Sequence, residues 1–275
     1  MRRFTVVSLF SGAGGLDLGF VQNGFFNVVF ANDILPPATE TYSTNLGLKL
    51  ATCAGERVEA QPGTVLLCDV EHVDFAPLVG ADVVIGGPPC QDFSIVRGPE
   101  WDRRGIEVRR GRLYAHFVRA LAVLQPKAFL FENVPGLASA NRGLAYRVIL
   151  EDFSRLNLRW EEVRRVLGNS NSSRPAEGYE IVFSEVVDFS QFGVPQRRER
   201  LVVVGIRRDL LRGAGGLWRA RSTFLRALKG SAGLFPKYPL TPIETFEGRR
   251  LDELGEVYRD VVRKWEGVWL EVGTE

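Results

Sequence analysis

Short apolar segments that end in glycine, proline or acidic residues recur along residues 3–206, and they constrain the fold more than any other feature. Runs of this kind, rich in β-branched side chains and bounded by turn residues, are typical of strands. They occupy residues 3–10, 27–31, 64–68, 81–85, 128–131, 180–187 and 200–206. Helical patterns lie between them, beginning at Leu16 and covering residues 112–124 and 143–156. Strands that alternate with helices predict an α/β fold with a doubly wound, mostly parallel sheet and helices on both faces.

The residues that end these predicted strands are chemically unusual. In open parallel sheets, ligands bind beyond the carboxyl ends of the strands. The strand ends carry Gly12 to Gly15, Asp33, Asp69, Pro89-Cys90 and Glu132-Asn133. Their clustering predicts an active site along one edge of the sheet.

The pattern changes after residue 206. Residues 207–242 are rich in Gly, Arg and Pro and are predicted to be loop with one short helix. Residues 251–269 have apolar side chains at helical spacing, which predicts an amphipathic helix. We therefore divide the chain into a catalytic, cofactor-binding domain at 1–206 and a short helical extension at 207–275.

Composition excludes several classes. The 275 residues contain no run of 18 apolar residues and begin with a segment unlike a signal peptide, so we expect a cytoplasmic protein. The three cysteines form no CxxC pair, which argues against a disulfide framework and a zinc site and suggests that Cys53 and Cys68 are small buried apolar side chains. Net charge is only +2, although the basic residues are mostly arginine, which suits contact with phosphate.

Cys90 has the setting of a nucleophile. Pro88 and Pro89 stiffen the approach to it from a strand, and a helix N-terminus or arginine nearby would increase its thiolate fraction. Glu132 ends the next strand and is expected to lie close enough to Cys90 to work beside it as an acid or hydrogen-bond partner. His72 and His116 follow no strand-end motif and are interpreted as structural or solvated, which disfavours a papain-like Cys–His mechanism.

The residues that follow the first three predicted strands indicate a nucleotide-like cofactor. The glycine turn lets backbone N–H groups approach an anionic ligand group at a helix N-terminus. Asp33 can accept hydrogen bonds from the ribose hydroxyls, and Ile34 can pack on a face of the adenine. Asp69 and Val70 can contact the adenine amino group. The third glycine of the turn, Gly15, falls one place too early for a nicotinamide dinucleotide fingerprint.

Arginine is concentrated in two segments. Arg198 and Arg200 alternate along a predicted strand and can clamp phosphate, the target base or the Glu132 side. Six arginines from Arg97 to Arg112, interleaved with glycines, predict a mobile loop that closes over a polyanion.

Together these motifs resemble the cytosine-5 DNA methyltransferases, in the family's own order and from Phe4 to about Ile206. The resemblance implies a Rossmann-like class I methyltransferase fold, S-adenosylmethionine as cofactor and double-stranded DNA as substrate. It also implies a covalent adduct between Cys90 and carbon 6 of a flipped-out cytosine, as in a restriction-modification system. The residues it assigns to catalysis are Cys90, Glu132, Arg198 and Arg200. Those it assigns to the cofactor are Phe10, Ser11, Gly12, Ala13, Gly14, Gly15, Leu16, Asp33, Ile34, Asp69, Val70 and Pro88. Those it assigns to DNA are Gln91, Ser94, Arg97, Asn133, Val134 and Gln196.

The sequence departs from the family at two points. Asp33 stands where the family usually has Glu; its shorter side chain should still reach the ribose, with weaker cofactor binding. The family's second block, an Asn-Ala-Val-type segment that completes the cofactor pocket, is not found after Ile206, and few residues are left for target recognition. We therefore expect a second polypeptide to supply these parts, with residues 251–269 as a docking face. A tRNA cytosine-5 methyltransferase and a non-catalytic DNA-binding subunit remain alternatives.

Overall fold

Ten strands and six α-helices are present in the part of the chain that the structure, a computed structural model, describes: residues 2–53, 57–89, 113–156, 177–192, 196–213 and 215–232. The strands are β1 (Phe4–Leu9), β2 (Phe26–Asp33), β3 (Lys49–Thr52), β4 (Val58–Glu59), β5 (Thr64–Leu67), β6 (Val73–Asp74), β7 (Val83–Gly86), β8 (Ala128–Asn133), β9 (Tyr179–Asp188) and β10 (Glu199–Arg207). The helices are α1 (Gly15–Gln22), α2 (Pro36–Leu46), α3 (Leu113–Leu124), α4 (Gly136–Ser139), α5 (Leu144–Arg155) and α6 (Gly216–Ala232).

An eight-stranded sheet in the order β3-β5-β2-β1-β7-β8-β10-β9 organises these elements, and β4 pairs with β6 separately. Neighbours from β3 to β8 are parallel, whereas β10 runs antiparallel to β8. The predicted α/β class with a mostly parallel sheet is therefore confirmed. The described residues of 2–186 and 200–225 form one compact unit, and those of 187–199 and 226–232 belong to a second.

The order of the sheet reverses at β1. The chain moves outward from β1 to β2, and later returns to place β7 against the other side of β1. Such a switch point opens a crevice between the connections that leave the two strands. The glycine turn after β1 and the Gly-Gly-Pro-Pro segment after β7 both lie there, which fixes where a ligand can bind.

An aromatic cluster fixes α3 against the sheet. The Phe117 ring packs edge-on against Phe129, Phe131 and Phe153, with ring centroids 5.9, 5.5 and 5.8 Å away. All four side chains are at most 1% exposed. Each such ring pair contributes about 0.5–1.5 kcal/mol beyond its buried area. Because Phe129 and Phe131 lie on β8, this packing sets the height of α3 relative to the strand ends.

Cys53 and Cys68 form a disulfide, so the sequence-based expectation that no disulfide exists is wrong. The short strand β3 joins the sheet edge parallel to β5, and each cysteine follows the end of one of these strands. This pairing brings their Cα atoms to 5.5 Å, within the range that a disulfide requires. Cysteine spacing alone did not indicate the pair because β3 itself was not predicted.

The strands and helices predicted from the sequence are present with small changes in their ends. Besides β3, the sequence does not predict the short strands β4 and β6 or the helices α2 and α4, of which α2 begins at two prolines. The short helix expected within 207–242 is the 17-residue α6. The predicted amphipathic segment at 251–269 lies outside the described residues. None of the described helices is both long and apolar enough to span a membrane.

Candidate active site

A cavity of about 720 Å³ opens at the switch point, along the predicted edge of the sheet. Five successive parts of the chain contribute to it: the end of β1, the turns after β2, β5 and β7, and the first turn of α3. Its lining residues are Phe10, Asn32, Asp33, Ile34, Leu35, Cys68, Asp69, Val70, Glu71, Gly87, Pro89, Leu113 and His116. Of the predicted cofactor residues, Phe10, Asp33, Ile34, Asp69 and Val70 are therefore brought together.

The glycine turn is built around one position that accepts no side chain. Gly14 has a φ of 88°, and a Cβ there would lie 2.6 Å from the Leu46 side chain and 2.9 Å from Tyr42. The close approach packs α1 against α2, where the Tyr42 hydroxyl donates to the buried Asp17 carboxylate over 2.8 Å. Burial raises the pKa of Asp17, although its hydrogen bonds oppose this shift.

Asp33 ties the glycine turn to the end of β2. One carboxylate oxygen accepts from the Gly12 N–H over 2.8 Å, and the other accepts from the Leu35 N–H over 2.9 Å. Asp33 thus shapes the cavity as well as lining it. Ser11, Ala13, Gly15 and Leu16, which were also predicted to bind cofactor, do not line the cavity directly.

The wall after β5 is a 3-10 turn, Val70–His72, which Asp69 caps by accepting from the Glu71 N–H over 3.1 Å. Arg119 of α3 supports this turn from inside. Its guanidinium donates to the Val70 and Val73 carbonyls over 2.7 and 2.8 Å, and it lies 4.6 Å from the Phe75 ring centroid. Burial lowers the pKa of Arg119 to about 10. The sequence analysis did not identify this positioning role.

His116 contributes a buried polar group to the cavity. The sequence analysis interpreted it as structural or solvated, but it lines the cavity together with Leu113, and only 6% of it is exposed. Burial, with the positive charge of Arg119, lowers the pKa of His116 to about 3, while Asp69 acts in the opposite direction. The imidazole is therefore neutral near pH 7.

Glu132 is held beside the segment that leads to Cys90. The Nε atom of Arg200 lies 2.8 Å from Glu132 Oε1, and both side chains are partly buried. The antiparallel register of β10 with β8, which pairs Val202 with Glu132, brings Arg200 to this position. A Cβ on Gly87 would lie 2.7 Å from Glu132 Oε2, so glycine is needed for the carboxylate to sit here.

Asn133 links the same two strand ends. Its side-chain amide donates to the Pro88 carbonyl over 2.9 Å, and its own oxygen accepts from the Val134 N–H over 2.9 Å. Pro88 is buried and makes this backbone contact, whereas Pro89 lines the cavity. Val134 is 40% exposed beyond the strand end.

The remaining predicted residues lie in the second compact unit or outside the described residues. Gln196 and Arg198 are exposed and lie in the second compact unit, where the Arg198 carbonyl accepts from the Phe189 N–H over 3.0 Å. Cys90, Gln91, Ser94 and Arg97 fall outside the described residues. Among the residues that the structure does describe, no cluster of three or more His, Cys, Asp and Glu side chains is placed to hold a metal ion.

A switch-point cavity with acidic residues at two strand ends, next to a carboxylate–guanidinium pair, defines a Rossmann-like ligand-binding α/β protein. The chain belongs to the C-5 cytosine-specific DNA methylase family, because residues 4–215 match that family. The family resemblance expected from the sequence is thereby confirmed.

Two curated relatives agree with this assignment. The chain is 64% identical over 282 aligned residues to the DNA (cytosine-5-)-methyltransferase M.ApeKI of Aeropyrum pernix, covering 100% of this chain and 60% of the relative. It is 36% identical to the type II methyltransferase M.NgoFVII of Neisseria gonorrhoeae, over 74% of this chain and 44% of the relative. The solved S. pombe Dnmt2 methyltransferase is similar over 74% of this chain and 51% of its own, at 21% identity and a TM-score of 0.49. The chain thus spans 60% and 44% of the length of these two curated relatives.

Proposed function

We propose that this chain carries the catalytic domain of a DNA (cytosine-5-)-methyltransferase that uses S-adenosylmethionine. The observation that carries the proposal is the Glu132–Arg200 pair, held 2.8 Å apart against Gly87 at the start of the Pro-Pro-Cys segment. The name of M.ApeKI and the type II methyltransferase names of other relatives support the same activity and a role in a restriction-modification system.

The cavity fits the proposed cofactor. Its volume of about 720 Å³ lies within the usual range for small-molecule sites. Asp33 and Asp69 offer carboxylate oxygens for ribose hydroxyls and the adenine amino group, and Ile34, 59% exposed, offers an apolar face. S-adenosylmethionine, when bound, supplies a methyl group activated by a sulfonium centre.

The chemistry assigns separate tasks to Cys90 and Glu132. Cytosine is a poor electrophile at carbon 6, so Glu132 would hold a proton at ring nitrogen 3 and draw electrons away from the ring. The Cys90 thiolate would form a bond to carbon 6, which makes carbon 5 nucleophilic. After methylation, loss of the carbon 5 proton breaks the carbon–sulfur bond and restores the thiolate. Arg200 orients the Glu132 carboxyl group for this role.

The target cytosine must leave the DNA stack to reach these groups, at a cost of a few kcal/mol. Asn133 would support the base-binding loop through its bond to the Pro88 carbonyl. Gln91, Ser94, Arg97, Val134 and Gln196 are proposed DNA contacts, and the arginines from 97 to 112 would hold the phosphate backbone. Arg198 would help to hold the target base and the thiol geometry.

We also propose that the chain is divided into a catalytic domain at 1–206 and an extension at 207–275. We propose further that a second polypeptide completes target recognition. A methyl-transfer assay tests them together with the activity. Labelled S-adenosylmethionine is mixed with duplex DNA or tRNA and the chain, alone or with the remaining portion of M.ApeKI added as a separate polypeptide.

Transfer to duplex DNA that requires the added polypeptide and disappears in Glu132→Gln is the expected result. Robust sequence-specific transfer by the chain alone would refute the need for a partner. Transfer to tRNA instead of DNA, or to neither, would refute the proposed activity.

A further inference from the structure

The cavity-facing end of α3 carries a histidine that the proposed chemistry does not use. Leu113 and His116 lie one helical turn apart and both line the cavity. His116 is 6% exposed, and its Nδ1 atom is buried without a hydrogen-bond partner. Buried polar groups are almost always paired, so the unpaired Nδ1 bears on which nitrogen of the ring carries the proton.

The unpaired Nδ1 determines which ring nitrogen carries the proton. A neutral imidazole has one N–H donor and one lone-pair acceptor. Leaving a buried N–H unpaired is rarer and costlier than leaving an acceptor unpaired. The proton therefore belongs on Nε2, which makes His116 a hydrogen-bond donor. Burial lowers the pKa of this side chain to about 3, so the neutral form persists at physiological pH.

Asp69 supplies the complementary acceptor in the same cavity. One of its oxygens caps the turn at Glu71, and the residue lines the cavity beside Val70. A donor and an acceptor set among the apolar side chains of Ile34, Val70 and Leu113 match a flat base in which an amino group adjoins a ring nitrogen. Adenine has this arrangement, with its 6-amino group between N1 and N7.

We infer that the Nε2–H of His116 donates a hydrogen bond to an adenine ring nitrogen of the cofactor while Asp69 accepts from the adjoining amino group. His116 is then a specificity-determining residue for the adenosyl group. This inference rests on the proposed function, because it takes S-adenosylmethionine as the ligand. Arg119 lies one turn further along α3 than His116 and donates to the Val70 carbonyl. This hydrogen bond holds the turn that carries Asp69 in place relative to His116.

Calorimetric titration of the purified chain with S-adenosylhomocysteine tests this without any methyl transfer. His116→Leu removes the donor and should weaken binding about tenfold, the value of one net hydrogen bond. His116→Gln keeps an N–H at similar reach and should stay within about threefold of the parent chain. His116→Asn presents the same amide one methylene shorter and should behave like the leucine variant. His72→Gln is the matched control, since His72 does not line the cavity.

Analogues of the ligand identify the partner atom. The 1-deaza and 7-deaza forms of S-adenosylhomocysteine each replace one ring nitrogen by C–H. One of the two analogues lacks the ring nitrogen that accepts from His116. The parent chain and His116→Leu should bind that analogue with equal affinity, because neither can form this hydrogen bond. If the leucine variant does not fold, the asparagine variant is used for the same comparison.

The outcomes separate the inference from the function on which it rests. No binding of S-adenosylhomocysteine by the parent chain, either alone or with the remaining portion of M.ApeKI added, would contradict the proposed function. Binding by the parent chain that is unchanged in folded His116→Leu or His116→Asn, or a histidine effect that persists with both analogues, would overturn the inference alone.

Discussion

Replacing Cys53 and Cys68 by serine removes the cross-link between the ends of β3 and β5, and the cost follows from the size of the loop. The two cysteines are 15 positions apart. Closing a loop of this length restricts the unfolded chain by about 3 kcal/mol at 25 °C. For a domain of this size, each kcal/mol shifts the melting temperature by about 2–4 °C, so the variant should melt roughly 6–12 °C lower.

Removal of the disulfide should also affect the ligand cavity. Cys68 lines the cavity, its N–H donates to the Asp33 carbonyl over 3.0 Å, and its carbonyl accepts from the Asn32 side chain over 2.9 Å. Without the cross-link, the turn that carries Asp69 is held by fewer constraints. We therefore expect weaker binding of S-adenosylhomocysteine in the serine variant than in the parent chain.

Scanning calorimetry with and without a phosphine reductant measures the effect, and thiol alkylation followed by mass spectrometry counts the free cysteines. The parent chain should show one alkylated cysteine before reduction and three after it, and reductant should lower its melting temperature. The serine variant should not respond to reductant, and Cys90→Ser, which leaves the disulfide intact, should respond as the parent does. Three reactive thiols without reductant, or equal melting temperatures for parent and serine variant, would refute the reasoning.

Three further perturbations address the site. Arg200→Gln removes the partner of Glu132 and should lower kcat for methyl transfer about 10–100-fold, with cofactor affinity unchanged by calorimetry. Gly87→Ala places a methyl group 2.7 Å from Glu132 Oε2 and should lower kcat at least about tenfold, whereas Gly136→Ala, with open space around its Cβ, should not; equal rates for the two alanine variants would contradict the steric argument. Because the pKa of His116 is lowered to about 3 in the folded chain, the unfolded chain takes up a proton first as pH falls, so the stability associated with this residue is present above about pH 6.5 and declines toward pH 3. Urea unfolding at pH 7.5, 5 and 4 should therefore show a smaller acid loss in His116→Leu than in the parent chain, and identical losses would contradict this.

Much of the fold and the place of the site follow from local sequence signals. Apolar runs that end in a glycine turn or an acidic residue identify the strands β1, β2, β5, β7 and β8, and parallel pairing brings their ends together whatever the details of packing. For this reason the sequence alone predicts Asp33, Asp69 and Glu132 at one edge of the sheet.

The features that sequence analysis missed depend on register and packing. Whether Arg198 or Arg200 faces Glu132 is decided by how β10 pairs with β8, which an alternating Arg pattern cannot reveal. His116 has the sequence setting of a core residue, and only the packing of α3 brings it to the cavity. The disulfide required β3, a four-residue strand with too weak a pattern to be detected alone.

A covalent trap tests the central claim most directly. Duplex DNA that contains 5-fluorocytosine within its target site cannot lose a proton from carbon 5, so the sulfur–carbon bond should persist once a methyl group has been added. After incubation with S-adenosylmethionine and any required partner, mass spectrometry of the digested complex should locate the DNA on the peptide that contains Cys90, and Cys90→Ser should yield no adduct. An adduct on another residue, or none in a complex that methylates ordinary DNA, would contradict the account.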